Sequence, residues 1–284
     1  MRYEAVIRLG FFFGVLALMA GWELWKPRRQ LSVSKALRWT NNLGIVVLNT
    51  VMLRLTFPVV AVGMAALAAE RDWGLLNAFE LPMPLAFVAA VVALDLAIYL
   101  QHVMFHAVPA LWRLHRMHHA DLDFDVTTGA RFHPIEILIS MGIKLAVVAV
   151  LGPPVPAVVV FEVLLNATAM FNHGNVRLPL GVDQVLRWLV VTPDMHRVHH
   201  SVVPQETNSN FGFNLPWWDR LLGTYRAQPA AGHEGMTIGL SQFREPRYLR
   251  LHNLLVQPWL ADTSPYPLPS RQPEAPRDAG QTPQ

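Results

Sequence analysis

The chain has 284 residues, of which 52% are hydrophobic and 15% charged, against about 25% charged in an ordinary soluble domain. The shortfall lies in long apolar stretches, which excludes a large soluble core and marks a membrane protein. Cysteine is absent, which excludes disulfides, iron–sulfur clusters and thiolate zinc sites; the net charge of +3 comes from basic residues beside the apolar stretches, so no nucleic-acid partner is expected.

Residues 8–25 form the first predicted span. A signal peptide is the competing reading, but the run is long, no A-x-A-like site follows, and the next residues are basic. Residues 43–69 form a second span, long enough to tilt, and residues 83–105 a third. Residues 135–152 and 155–172 form the fourth and fifth, joined so tightly by Gly152-Pro153-Pro154 that they must be a helical hairpin. Lys144 and Glu162 stand about equally far from that joint, at one depth, and are expected to form an ion pair. Asp95 lies two turns before His102 on one face; it either orients a metal ligand from behind or pairs with Arg54.

Orientation follows from basic residues in short loops. Lys26, Arg28, Arg29, Lys35 and Arg38 follow the first span with no acid among them, so that loop is expected to be cytoplasmic. Five spans then bring ten histidines to the cytoplasmic side: His102 and His106, His115, His118 and His119, His133, His173, and His196, His199 and His200. Imidazole is the commonest protein metal ligand, and no single four-coordinate ion needs so many. On a helix, residues i, i+3 and i+4 share a face, whereas adjacent residues diverge by about 100°. The His118–His119 and His199–His200 pairs can therefore each serve two ions, and the pattern reads as a binuclear centre. Thr192-Pro193-Asp194 starts the helix of the second HxxHH, with Thr192 as its N-cap. His133-Pro134 repeats that start at the fourth span. The donor set suits iron and also accepts zinc. His233 and His252 read as ordinary polar residues near the membrane surface.

The fold class expected is all-α: a polytopic membrane helical bundle with a cytoplasmic helical cap holding a histidine-rich dimetal centre. Four regions are expected: residues 1–82, N-terminal transmembrane helices; 83–230, a catalytic domain; 231–260, a cytoplasmic or interfacial segment; and 261–284, a disordered proline-rich tail. Within the third, residues 243–260 mix Arg with Leu and Trp as an interfacial helix would. Trp217-Trp218 suits an interfacial anchor.

Asp95…His102-Val-Met-Phe-His106, His115-Arg-Met-His118-His119, Arg131-Phe-His133-Pro134-Ile-Glu136, His173-Gly174-Asn175 and His196-Arg-Val-His199-His200-Ser201 together resemble the fatty acid hydroxylase/sterol desaturase superfamily. Asn208-Ser-Asn210-Phe211-Gly212 and Trp218-Asp219-Arg220-Leu-Leu-Gly223-Thr224-Tyr225 are similar to its closing signature, and the likeness runs from about residue 90 to 226. The resemblance implies a membrane non-haem di-iron oxygenase that hydroxylates or desaturates a lipid or sterol-like substrate with O2. It implies all ten histidines as ligands and places Asp95, Asn175, Asn210 and Asp219 as polar residues near the centre. No His-Pro-Gly-Gly-like haem motif is present, which implies a ferredoxin- or cytochrome-type electron donor in trans. Two other classes fit the histidines alone: a zinc-dependent membrane hydrolase and a non-catalytic metal carrier.

Overall fold

The computed structural model describes residues 4–79, 81–261 and 266. Helices α1 (Glu4–Trp25), α2 (Lys35–Thr56), α3 (Ala61–Glu70) and α4 (Leu75–Ala78) come first, followed by α5 (Met83–Ala107) and α6 (Pro109–His119). Then come the hairpin α7 (Pro134–Leu151) and α8 (Val155–Asn172) and the short helices α9 (Leu180–Leu186), α10 (Pro193–His199), α11 (Pro204–Thr207) and α12 (Trp217–Leu221). Helices α13 (Gly232–Gly235) and α14 (Leu251–Val256) complete an all-helical chain; the described residues hold no strand beyond isolated bridges. Five stretches are long and apolar enough to cross a membrane, beginning at Val6, Lys35, Met83, Pro134 and Val155.

Apolar surface explains the arrangement. The apolar window of α1 is 11% buried and that of α8 is 44% buried, so α8 is the central post and α1 a peripheral one. Helix α8 packs on α1, α3 and α5, and α7 packs on α2, α3 and α5. Small residues of α3 (Ala61, Ala65) let it sit close against Val148 of α7 and Phe161 of α8. Gly152 takes the left-handed conformation (φ 62°) that ends α7, and a Cβ there would lie 2.3 Å from the Trp73 carbonyl oxygen. The turn of the hairpin is thus locked onto the α3–α4 loop. Lys144 Nζ lies 3.2 Å from Glu162 Oε1, the expected pair, and Arg8 joins it at 3.1 Å from Glu162 Oε2.

Three expectations are corrected. The second span is not one helix over 43–69. Pro58 has no N–H to return to the carbonyl of Arg54 and forces Phe57 into extended backbone (φ −113°, ψ 107°), so α2 ends and α3 starts afresh. Residues 243–260 are not one interfacial helix either: 3-10 turns at Pro246–Leu249 and Gln257–Trp259 flank the six residues of α14. Leu254 of α14 is buried against Ile45 and Met117, while Arg113 and Arg116 of α6 donate to the carbonyls of Pro258, Gln257 and Leu260. His233 is buried with Nε2 3.7 Å from Asp194, not at a surface; His252 is exposed. The expected disordered tail lies outside the described residues except Ala261 and Tyr266.

The end of α1, the start of α2 and the segment between them grip the polar end of the bundle. Arg38 is wholly buried and donates Nε and Nη2 to the two carboxylate oxygens of Asp121 (2.7 and 2.8 Å). It also pairs with Asp125, and Arg131 adds a contact to Asp121 at 3.5 Å. Burial alone would raise the Asp121 carboxyl, but Arg38 and Arg131 overcome it and hold it well below the usual carboxylate range. Asp123 accepts from the backbone of Ser32 and Val33, and Glu23 accepts from Val126 and Asn175. The loop that follows α6 is therefore pinned by residues from the start of the chain.

Candidate metal centre

Nine of the ten histidines converge at the polar end of the bundle. His102 and His106 come from the last turns of α5, His115, His118 and His119 from α6, and His173 caps α8. His196 and His199 lie on α10, and His200 caps it. They sort into two adjoining groups: His102, His106, His115, His119 and His199; and His118, His173, His196 and His200. All nine are buried. Each adjacent pair divides, with His118 and His200 in one group and His119 and His199 in the other. The helical offset between neighbours produces this split. The start of α10 is built as its sequence suggests: Thr192 Oγ1 accepts from Met195 N at 3.3 Å, and Pro193 opens the first turn.

What lies behind the rings fixes their chemistry. The Nδ1–H of His102 donates to the Phe211 carbonyl (2.7 Å), that of His199 to Ser209 (2.7 Å) and that of His173 to Ala169 (2.8 Å). His118 donates to the Arg131 carbonyl (3.2 Å), His106 to Asn208 Oδ1 (3.1 Å) and His115 to Glu136 Oε1 (2.6 Å). Each of these acceptors assigns the proton to Nδ1 and leaves the lone pair on Nε2. Those Nε2 atoms then face one another: His102 and His199 at 3.0 Å, His102 and His115 at 3.1 Å, His118 and His173 at 3.3 Å. Burial draws His115 and His173 down to about 3, and lowers His118 and His199 well below the ordinary imidazole value. The rings are neutral at pH 7, and lone pair against lone pair is repulsive. A cation shared between the rings removes the repulsion, so the donor set fits bound metal. Phe132 stacks on His118 with ring centroids 4.4 Å apart, and Trp112 and Phe211 lie against His106 at 4.9 and 5.0 Å. This apolar wall excludes water.

His133 is the exception. Its Nδ1 accepts from Ile135 N (3.2 Å) as the N-cap of α7, and its Nε2 donates to the Leu255 carbonyl (3.1 Å). Both nitrogens are engaged outside the two groups, so the structure does not place it among the candidate ligands. The residue three positions on has the closer role: Glu136, which orients His115. Replacing Glu136 by Gln keeps the shape but exchanges the carboxyl behind the ring for an amide. We expect a loss of about 10–100-fold in metal affinity or turnover; an unaltered metal titration in Glu136→Gln would show that the contact is idle.

Asp95, Asn175 and Asp219 bond groups other than the nine rings, while Asn210 reaches His196 through its backbone. Asp219 accepts from Phe211 N (2.8 Å) and Gly212 N (2.9 Å), so it sets the carbonyl that holds His102. A Cβ on Gly212 would meet Asp219 Oδ2 at 2.8 Å, so only glycine fits there. Asn210 stands at φ 52°, a conformation asparagine tolerates, and bonds the Met195 and Arg226 carbonyls. Asp95 accepts from Asn214 Nδ2, Leu215 N and Trp218 Nε1, not from His102, and it is not paired with Arg54. Asn175 bonds the backbone of Arg29 on both sides of its amide. Sequence reasoning missed the carbonyls of Ala169, Arg131, Ser209 and Phe211, because backbone acceptors carry no residue signature. Asn208, by contrast, opens the Asn208-Ser-Asn210-Phe211-Gly212 motif.

Fold and site define a helical membrane protein whose polar end builds two imidazole cages side by side. Residues 87–224, just under half of the chain, match the fatty acid hydroxylase family. Ornithine lipid hydroxylase OlsE of Rhizobium tropici is 33% identical over 148 residues, covering 52% of this chain and 44% of that protein. Alkylglycerol monooxygenase of Xenopus tropicalis is 28% identical over 187 residues (65% and 40%), and that of Homo sapiens 26% identical over 189 (64% and 40%). The chain thus spans less than half the length of these relatives. No solved structure matches it at a significant level.

Proposed function

We propose that the protein is a membrane lipid hydroxylase with a di-iron centre. The observation that carries this reading is the facing of neutral Nε2 atoms in two adjoining groups, five rings and four. Five imidazoles in one group exceed the four positions of a tetrahedral zinc site, which favours iron. His102, His106, His115, His119 and His199 would hold one ion, and His118, His173, His196 and His200 the other. Two irons, reduced by a separate ferredoxin- or cytochrome-type donor, would supply O2-dependent oxidation of an unactivated C–H bond. Hydroxylation is favoured over desaturation because the relatives are named as a hydroxylase and monooxygenases.

The chain's own residues do the rest. The carbonyls behind His102, His118, His173 and His199 hold the rings in place, and the Glu136 carboxyl does the same for His115. Phe132, Trp112 and Phe211 keep water from the reacting region. A small crevice between α5, α7 and α8, with room for about one water, is lined by Leu94, Ala97, Ile98, Gln101, Ile143, Lys144, Val147 and Phe161. The basic segment that follows α1 contacts Asp121, Asp123 and Asp194, so the centre shares its side; by the basic-loop rule that side is cytoplasmic. Metal analysis together with O2 uptake on lipid addition tests the proposal. Iron and lipid-dependent O2 consumption are expected; zinc with turnover independent of O2 would replace it with a hydrolase.

A further inference from the structure

Helix α9 is built inside out. Asp183 and Arg187 are buried and pair with each other; Asp183 also accepts from Thr192 Oγ1 (2.6 Å), and Arg187 donates to the Ala227 carbonyl (2.9 Å). Apart from Gln184, the large outward side chains are apolar. Leu180, Val185, Trp188 and Leu189, together with Trp217 and Leu221 of the neighbouring α12, are between 42% and 74% exposed. In water a short helix turns its charges out and its leucines in. Six large apolar side chains from two segments make one patch, too many to be scattered surface residues.

Hydrogen bonds from α12 to the spans fix the depth of this patch. Trp217 Nε1 donates to the Trp188 carbonyl (2.7 Å), which ties α12 to the end of α9. Next to it, Trp218 Nε1 donates to Asp95 Oδ2 (2.8 Å). Asp95 lies twelve residues before the end of α5, about 18 Å along a membrane span. Asn214 reaches the same carboxylate, and it also bonds Thr168 of α8. The patch is therefore moored to the spans below the metal centre, where Leu100 of α5 is itself 51% exposed. Arg220 lies over Trp188 and Tyr225, 3.7 and 3.9 Å from the ring centroids. A cation held on aromatic faces suits the boundary between headgroups and chains.

We infer that α9 and α12, which cross nothing, are embedded in the acyl-chain region of the leaflet beside the metal centre. The occupant of this surface is lipid, and the inference stands apart from the metal and the reaction. The chain has no cysteine, so a single one can be labelled without background. Nitroxides would be placed at Val185→Cys, Leu189→Cys and Leu221→Cys in the full chain in phosphatidylcholine nanodiscs. Val88→Cys on α5 and Glu234→Cys on α13 are the lipid and water references. Unchanged helix content and a monodisperse profile show that each variant folds. At all three positions O2 is expected to collide with the label more than a water-soluble nickel chelate does, as at Val88 and opposite to Glu234. Nickel access equal to that at Glu234 would overturn the inference. Shielding from both reagents would overturn it too, since protein would then cover the patch; narrowing of the spectra on dilution with unlabelled chain would identify a second copy.

Discussion

Alanine at His199 or at His118 should abolish turnover, and each should strip metal from a different half of the site. His199 belongs to the five-ring group and His118 to the four-ring group, so each variant chain should fall from two bound ions toward one. Loss of a ligand should exceed the roughly 10–100-fold effect of losing a group that only orients one. Two comparison variants sharpen the test. His252→Ala, exposed and remote from both groups, should leave activity and metal unchanged. His133→Ala should lose about 0.5–2 kcal/mol of stability as a lost helix cap yet keep its metal. Full activity with undiminished metal in both His199→Ala and His118→Ala would end the ligand assignment; metal loss in His133→Ala would return that residue to it.

Arg38→Ala is the second large effect. It leaves Asp121 and Asp125 buried with their principal cation gone, and removing one partner of a buried pair costs about 3–5 kcal/mol. The thermal midpoint in nanodiscs should fall sharply. The effect should also reach the metal, because residues 121–128 connect α6 to Arg131, whose carbonyl holds His118. Arg38→Lys should recover part of the loss, keeping the charge but not the two-pronged contact to Asp121. Asn at Asp121 on the Arg38→Ala background should recover another part by removing the stranded charge. A midpoint unmoved by Arg38→Ala would mean that this network contributes nothing.

What could be read from sequence was what local periodicity or a tight turn determines. Adjacent histidines separate around a helix whatever surrounds them, so the division of His118 from His119 follows from position alone. The hairpin at Gly152 sets two helices at one depth, and Lys144 meets Glu162 for that reason. What could not be read depends on which atom a residue spends elsewhere. His133 has the ligand's chemistry, but as an N-cap it uses one nitrogen on Ile135 and the other on Leu255. Asp121, Asp123 and Asp125 belong to no motif, and their partners, Arg38 and the Ser32 backbone, lie 83 to 91 positions earlier in the chain. The break at Pro58 and the turns at Pro246 and Pro258 are marked by prolines, but the apolar and amphipathic patterns run straight through them.

The arginine clamp has a consequence for biogenesis. Arg38 precedes Asp121 by 83 positions, so it leaves the ribosome long before its carboxylates exist. In that interval it and its basic neighbours can engage only water and anionic lipid headgroups, the contacts that orient the first helix. Synthesis of residues 121–125 then draws Arg38 off the membrane surface and into protein. One set of cations thus first sets the topology of the nascent chain and later closes the finished fold.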